Sequence, residues 1–212
     1  MTGRFTTVLL DFDGVVADTE GQYARYFEQL ARVYPAAVPD LAAAVRGVTL
    51  PEIIERFFGD YPAGVRREIA DGVRLFETRM DYRFIPGAGE FVREAGRRGY
   101  KRGLVTSSRE EKMRVALGKL GLRGEFDAVI TAGDVARGKP DPECYLVAAE
   151  RLGVMPGECV VFEDSIAGIT AGKRAGMKVV GMTTTLPAAE VGKHARFLLP
   201  GFEGMEEAFG ML

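Results

Sequence analysis

The chain has 212 residues, a formal net charge of −2, 47% apolar residues and 27% charged ones. That size and balance suit a globular protein with a sizeable core and exclude wholesale disorder. They also argue against a nucleic-acid partner, whose phosphates are held by clustered Lys and Arg, while one histidine, His194, and two well-separated cysteines, Cys144 and Cys159, leave no Cys/His zinc site.

The opening MTGRFTTVLLDFDG lacks the apolar core of a signal peptide, and no apolar run approaches the ~18 residues of a membrane span, so a cytoplasmic protein is the expectation. TTVLLDF (6–12) reads as a short buried strand. In EGQYARYFEQLARVYP, apolar residues recur at helical spacing until Pro35. A second helix is expected over 40–46. A third is announced by Thr49 and Glu52, which have capping-box spacing, and a fourth spans roughly 62–80. Residues 17–82 therefore read as all-helical.

From Ile85 the pattern alternates. Helices are expected over 88–98, 109–120, 142–152 and 165–175, with strands over 100–106, 127–131, 158–163 and 178–182. A weaker strand at 196–199 and a helix near 202–210 complete the chain. Helices of this length between short apolar strands specify a parallel sheet. The fold class is thus α/β, a Rossmann-like parallel sheet built from 1–16 and 83–212, with a helical block, 17–82, inserted after the first strand.

Ligands of open parallel sheets bind at the carboxyl ends of the strands. Four strand ends carry polar groups there: Asp11 and Asp13, Thr106 and Ser107, Lys139 in GKPDP, and Glu163 with Asp164. Four carboxylates without a counter-charge cannot all stay ionised, and a hard divalent cation such as Mg²⁺ resolves the repulsion. The other groups suit a phosphoryl group. Lys139 supplies a point charge, Thr106 a hydroxyl, and the N–H groups of Gly14 and Ser107 an anion-binding nest. Asp11 is then a nucleophile and Asp13, two residues on, a proton donor and acceptor. Alone, the DxD pair reads as turn chemistry, Glu163–Asp164–Ser165 as a helix cap, Lys139 as a loop lysine and Thr106 as a strand terminus; their combination carries the reading.

DFDGVVADT, LVTSS, GKPDPE and VVFEDSIAGI resemble, in order and spacing, the four motifs of the haloacid dehalogenase superfamily of phosphohydrolases. The resemblance covers nearly the whole chain, and the insertion point is similar to that of the helical-cap subgroup with β-phosphoglucomutase and sugar phosphatases. It implies a cap domain at 17–82 and Asp11 as nucleophile with Asp13 as acid/base. It further implies phosphoryl binding by Thr106 and Lys139, and a Mg²⁺ shell from Asp11, the Asp13 carbonyl and Asp164, supported by Glu163. Within this family the haloalkanoate dehalogenases lack the paired acids found here, and phosphonatases need a cap lysine, whereas no lysine precedes Lys101. The place of the mutase histidine is taken by Tyr23 and that of its arginine by Leu50, with Arg46 nearby, which favours a phosphatase acting on a small phosphorylated metabolite. Glu20, Tyr23 and Arg46 are the candidate substrate contacts of the cap; Tyr23, Tyr26 and Phe27 otherwise read as bundle core. The alternatives are a phosphomutase and, from another class, a phospho-receiver or a binding protein without turnover. A monomer or weak dimer is expected. His194 reads as a surface residue, and both cysteines as small buried hydrophobes.

Overall fold

A computed structural model describes residues 5–36 and 38–212, so residues 1–4 of the expected first segment lie outside the described residues. Six strands run through it: β1 Thr7–Leu10, β2 Lys101–Val105, β3 Ala128–Ile130, β4 Cys159–Glu163, β5 Lys178–Met182 and β6 Phe197–Leu199. They form one sheet in the order β3-β2-β1-β4-β5-β6, and every pairing is parallel, as the alternation requires. The helices are α1 Glu20–Val33, α2 Leu41–Ala44, α3 Leu50–Phe58, α4 Ala63–Arg79, α5 Ala88–Arg97, α6 Glu110–Lys119, α7 Glu143–Leu152, α8 Ile166–Arg174, α9 Ala188–Val191 and α10 Met205–Gly210. None is long and apolar enough to cross a membrane.

The central strands β1 and β4 are buried on both faces, which explains their unbroken apolar runs. Side chains alternate across the sheet, so Val8 and Leu10 enter one hydrophobic cluster with Phe91 and Phe162, whereas Leu9 enters another with Tyr145 and Ile169. The helices α1–α4 have a third cluster of their own, built on Phe27, Leu41, Val45, Leu50, Ile53, Phe58, Ile69 and Val73. Tyr23 packs against both this cluster and the first. The expected capping box is present at α3, where the Glu52 carboxylate accepts from the Thr49 N–H at 3.2 Å and from its hydroxyl at 2.6 Å.

Two helices are shorter than their patterns suggest: α2 covers Leu41–Ala44 rather than 40–46, and α10 begins at Met205 rather than near 202. Asp40 caps α2 by accepting from the Ala43 N–H, and the helix ends where Gly47 turns the chain with φ +71°. The turn of α9 lies between β5 and β6 and was not expected; four residues are too few to display a 3.6-residue period.

The chain leaves the sheet for α1–α4 and returns beside its point of exit. Ala17 bridges Phe84 antiparallel, the Asp18 N–H donates to the Arg83 carbonyl at 2.9 Å, and the Ile85 N–H donates to the Val16 carbonyl at 3.1 Å. Strand order reverses between β1 and β4, because the chain builds outward to β3 and then resumes on the other side of β1. The crevice at the carboxyl ends of these two strands is where such a sheet binds ligands.

Candidate active site

Asp11 follows β1 directly and is buried, with its N–H donating to the Phe162 carbonyl at 3.1 Å, so its backbone is fixed by β4. Glu163 ends β4 and Asp164 follows it; together with Asp11 they bring three carboxylates within 4.8 Å of one another. Lys139 reaches this cluster from its loop. Its Nζ donates to Asp11 Oδ1 at 2.9 Å, to Glu163 Oε1 at 2.5 Å and to the Val105 carbonyl at 3.1 Å, which uses all three protons. Thr106, one residue past β2, is buried beside them and accepts the Ser108 N–H on its hydroxyl at 3.1 Å. The seven side chains read from the sequence thus gather at one sheet edge, six of them around the carboxylate cluster or lining the cavity above it with Asp13.

Three buried carboxylates face one ammonium, which leaves two negative charges uncompensated. Burial, opposed by Lys139 and reinforced by Glu163 and Asp13, pushes Asp11 up to about 7. Burial and the neighbouring Glu163 and Asp11 raise Asp164 well above the carboxylate range, and its carboxylate is held by the Thr185 hydroxyl rather than by any cationic side chain among the described residues. Burial opposes the charge on Lys139, but Asp11 and Glu163 outweigh it and raise the ammonium. A hard, oxygen-seeking divalent cation fits this donor set in charge and in ligand type. Gly14 fits as well: with φ +76° it brings bare backbone against Asp164, and a Cβ there would collide with the carboxylate and with Thr185.

Glu163 is held on both carboxylate oxygens. Oε1 accepts from Lys139 and from the Tyr145 hydroxyl at 3.1 Å, and Oε2 accepts from the Ser165 N–H and hydroxyl, both at 3.0 Å. Four donors thus reach it, Lys139 among them. The expected nest also loses a member. The Gly14 N–H donates to the Ala17 carbonyl at 2.8 Å to close the turn after β1, which removes it as a phosphate donor.

The cavity above the cluster has about 80 Å³ of free volume, far below the ~300 Å³ of a drug-sized site. Asp11, Asp13, Thr106, Ser107 and Asp164 line its floor, and Glu20, Tyr23, Arg46, Glu77 and Arg109 its polar walls. Arg46 Nε donates to Glu20 at 3.2 Å, and Arg109 donates to Glu77 at 2.9 Å. The Tyr23 hydroxyl donates to Glu77 at 3.0 Å, so this ring is both core and wall; Phe27 also lines the cavity, whereas Tyr26 does not. The Ser107 hydroxyl donates to the Gly47 carbonyl at 2.8 Å and ties the loop before α3 to the sheet. His194 is half-buried and does not line this cavity, and both cysteines are free and buried, as read from the sequence.

Sequence reasoning passed over Lys112. It lies on the face of α6 that carries Ala116, and its side chain is wholly buried. Its Nζ donates to Asp13 Oδ1 at 2.6 Å, to Asp13 Oδ2 at 2.5 Å and to the Ser108 hydroxyl at 2.9 Å. The readable signal was a charge on the apolar stripe of an amphipathic helix. Thr185, Tyr145 and Ser108 left no such trace.

Comparison with known proteins agrees with this arrangement. Residues 5–176 match the model of the haloacid dehalogenase-like hydrolase family. The chain is 36% identical to YhcW of Bacillus subtilis over 184 residues, covering 82% of this chain and 81% of that one. It is 32% identical over 195 residues to the phosphorylated carbohydrates phosphatase of Thermotoga maritima, covering 84% and 86% of the two chains. Its fold superposes on the crystal structure of β-phosphoglucomutase from Clostridium difficile with a TM-score of 0.82 at 24% identity, over 98% of this chain and 96% of that one. On these grounds the chain belongs to the haloacid dehalogenase-like hydrolases.

Proposed function

We propose that this enzyme, a phosphoric monoester hydrolase of its family, hydrolyses a small phosphomonoester in two steps through Asp11, and that the helical block 17–82 is its cap. The observation that carries the reading is the buried pairing of Lys139 with Asp11 at 2.9 Å beside Glu163 and Asp164. That pairing holds a carboxylate oxygen aimed at the cavity floor, next to a cluster short of positive charge. Asp11, Asp164 and the Asp13 carbonyl would hold Mg²⁺, which supplies charge stabilisation to the phosphoryl oxygens.

In the first step an Asp11 oxygen attacks phosphorus and the ester P–O bond breaks. Its electron pair goes to the leaving oxygen, which takes a proton from the Asp13 carboxylic acid. In the second step a water oxygen attacks the phosphorus of the aspartyl phosphate, gives a proton to Asp13, and the Asp11–phosphorus bond breaks. The Thr106 hydroxyl and the Ser107 N–H face the phosphoryl oxygens, and Lys139 supplies its positive charge from beside Asp11.

The cap division is supported by the separate core of α1–α4 and by the bridged exit and return segments at Ala17 and Phe84. The polar walls favour a phosphorylated carbohydrate or similar polyol. Two arginine–glutamate pairs and a tyrosine hydroxyl offer donors and acceptors for hydroxyl groups, and the name of the Thermotoga relative points the same way. A phosphomutase would hold a second phosphate with a spare cation in the cap, but Arg46 is already neutralised by Glu20.

The test is turnover of p-nitrophenyl phosphate and of a panel of sugar phosphates, nucleotides, phosphoglycolate and pyrophosphate. Release of inorganic phosphate should require Mg²⁺, stop with EDTA, and fall about a thousandfold or more in Asp11→Asn. Activity surviving EDTA or that substitution would overturn the reading.

A further inference from the structure

We propose that Lys112 is a positioning residue for Asp13, pinning its carboxylate beside the cavity and giving up one of its two contacts when Asp13 exchanges the proton with the leaving oxygen. The inference rests on the phosphatase reading but concerns a residue that the four motifs do not contain.

The geometry is specific. Each Asp13 oxygen takes two donors: Oδ1 from the Thr19 hydroxyl at 2.6 Å and from Lys112, Oδ2 from the Ser108 hydroxyl at 3.0 Å and from Lys112. Among the described residues the ammonium is the only donor that spans both oxygens, so it fixes the carboxylate plane, while each hydroxyl fixes one corner. Lys112 is itself held by three elements. It rises from α6, meets the Ser108 hydroxyl one turn earlier, and lies 4.8 Å from the Tyr23 ring centroid on α1 and 5.5 Å from that of Phe12 after β1. Charged groups facing this pair include Glu20, whose carboxyl feels both Asp13 and Lys112, and Asp11, which feels Asp13.

Such a lysine is costly as packing. Taking an ammonium out of water costs several kcal/mol, and an apolar side chain of similar volume would fill the same place without that cost. A buried lysine in such a pair is therefore weak evidence for stability, whereas orientation of an acid is a use that an apolar side chain cannot serve. Proton transfer requires hydrogen-bond reach to the ester oxygen, and an aspartate turns about two side-chain torsions unless something holds it. Through Tyr23 the same clamp touches the first helix after the exit strand.

The test compares kcat/KM for phenyl phosphate, a poor leaving group, with that for p-nitrophenyl phosphate, which leaves with little proton assistance. This ratio reports the step in which Asp13 donates. In Lys112→Met, kcat/KM for phenyl phosphate should fall at least about tenfold more than that for p-nitrophenyl phosphate, with KM near the wild-type value. Lys112→Arg, which keeps a charged donor, should restore part of the ratio. In an Asp13→Asn background Lys112→Met should leave the ratio unchanged, since the two residues act as one unit. An equal loss for both substrates, or a shift that persists without Asp13, would overturn the proposal.

Lys112→Gln keeps a neutral donor and serves if the methionine variant does not fold; it should move the ratio in the same direction. A crystal structure of either variant tests the claim without turnover. Asp13 in another rotamer supports it, and Asp13 unmoved on Thr19 and Ser108 overturns it. Wild-type protein inert to both aryl phosphates would instead fail the phosphatase reading, leaving the crystallographic comparison to decide the role of Lys112.

Discussion

Gly168, in the first turn of α8, shows how a local rule can give the wrong sign. Alanine is the better helix former by about 1 kcal/mol, so Gly168→Ala should stabilise on propensity alone. A Cβ there, however, would fall 1.6 Å from Glu163 Oε1, inside the group that fixes Lys139. Neither partner can yield, because Glu163 is wholly buried and bonded to four donors. Gly168→Ala should therefore lose about 1–3 kcal/mol in chemical denaturation and lower kcat as Lys139 shifts. At this scale the sequence was legible where polar residues stand directly after apolar strands, as at Asp11, Thr106 and Asp164. It was silent where an atom's partner is tertiary. Nothing in DFDG reveals that the Gly14 N–H is taken by Ala17, or that Glu163 is saturated by Tyr145 and Ser165.

Among the elements, the long periodic segments were readable and the short ones were not. The strands and α1 through α8 appear where apolar spacing puts them, with ends shifted by a residue or two, whereas the single turn of α9 has no period to detect. The loop between α2 and α3 borders the cavity. Gly47 turns it at φ +71°, its carbonyl accepts the Ser107 hydroxyl, and the adjoining Arg46 and Val48 line the cavity. Ser107→Ala keeps the N–H that the proposed mechanism turns toward the phosphoryl group and removes only this tether. A hydrogen bond of about 0.5–1.5 kcal/mol corresponds to roughly a two- to twelvefold effect, expected as a higher KM with kcat little changed. Steady-state kinetics on p-nitrophenyl phosphate reads it; a loss confined to kcat would mean that the hydroxyl serves the chemistry instead.

Across the whole molecule, two thiols report on the core. Burial pushes both Cys144 and Cys159 up to about 11, with Glu163 and Asp11 adding to the shift at Cys144 against Lys139, and Glu158 adding to it at Cys159. A thiol whose folded pKa is raised contributes stability that is complete below the unfolded value, near 8.5, and lost as pH rises through the folded one. Stability measured by denaturant should therefore be unaffected by these groups up to about pH 8 and fall between about pH 9 and 11, less steeply in Cys144→Ala and in Cys159→Ala. The sheet order carries a different consequence, one of timing. The strand at the centre, β1, is the first to be synthesised, yet its neighbours begin only at Lys101 and Cys159. A chain emerging from the ribosome therefore holds TVLL without a hydrogen-bonding neighbour while the helical block, whose contacts are local, has everything it needs to fold first. Asp11, the proposed nucleophile, rides at the end of that waiting strand, so its carboxylate cluster comes into being only when the last third of the protein has closed around the beginning.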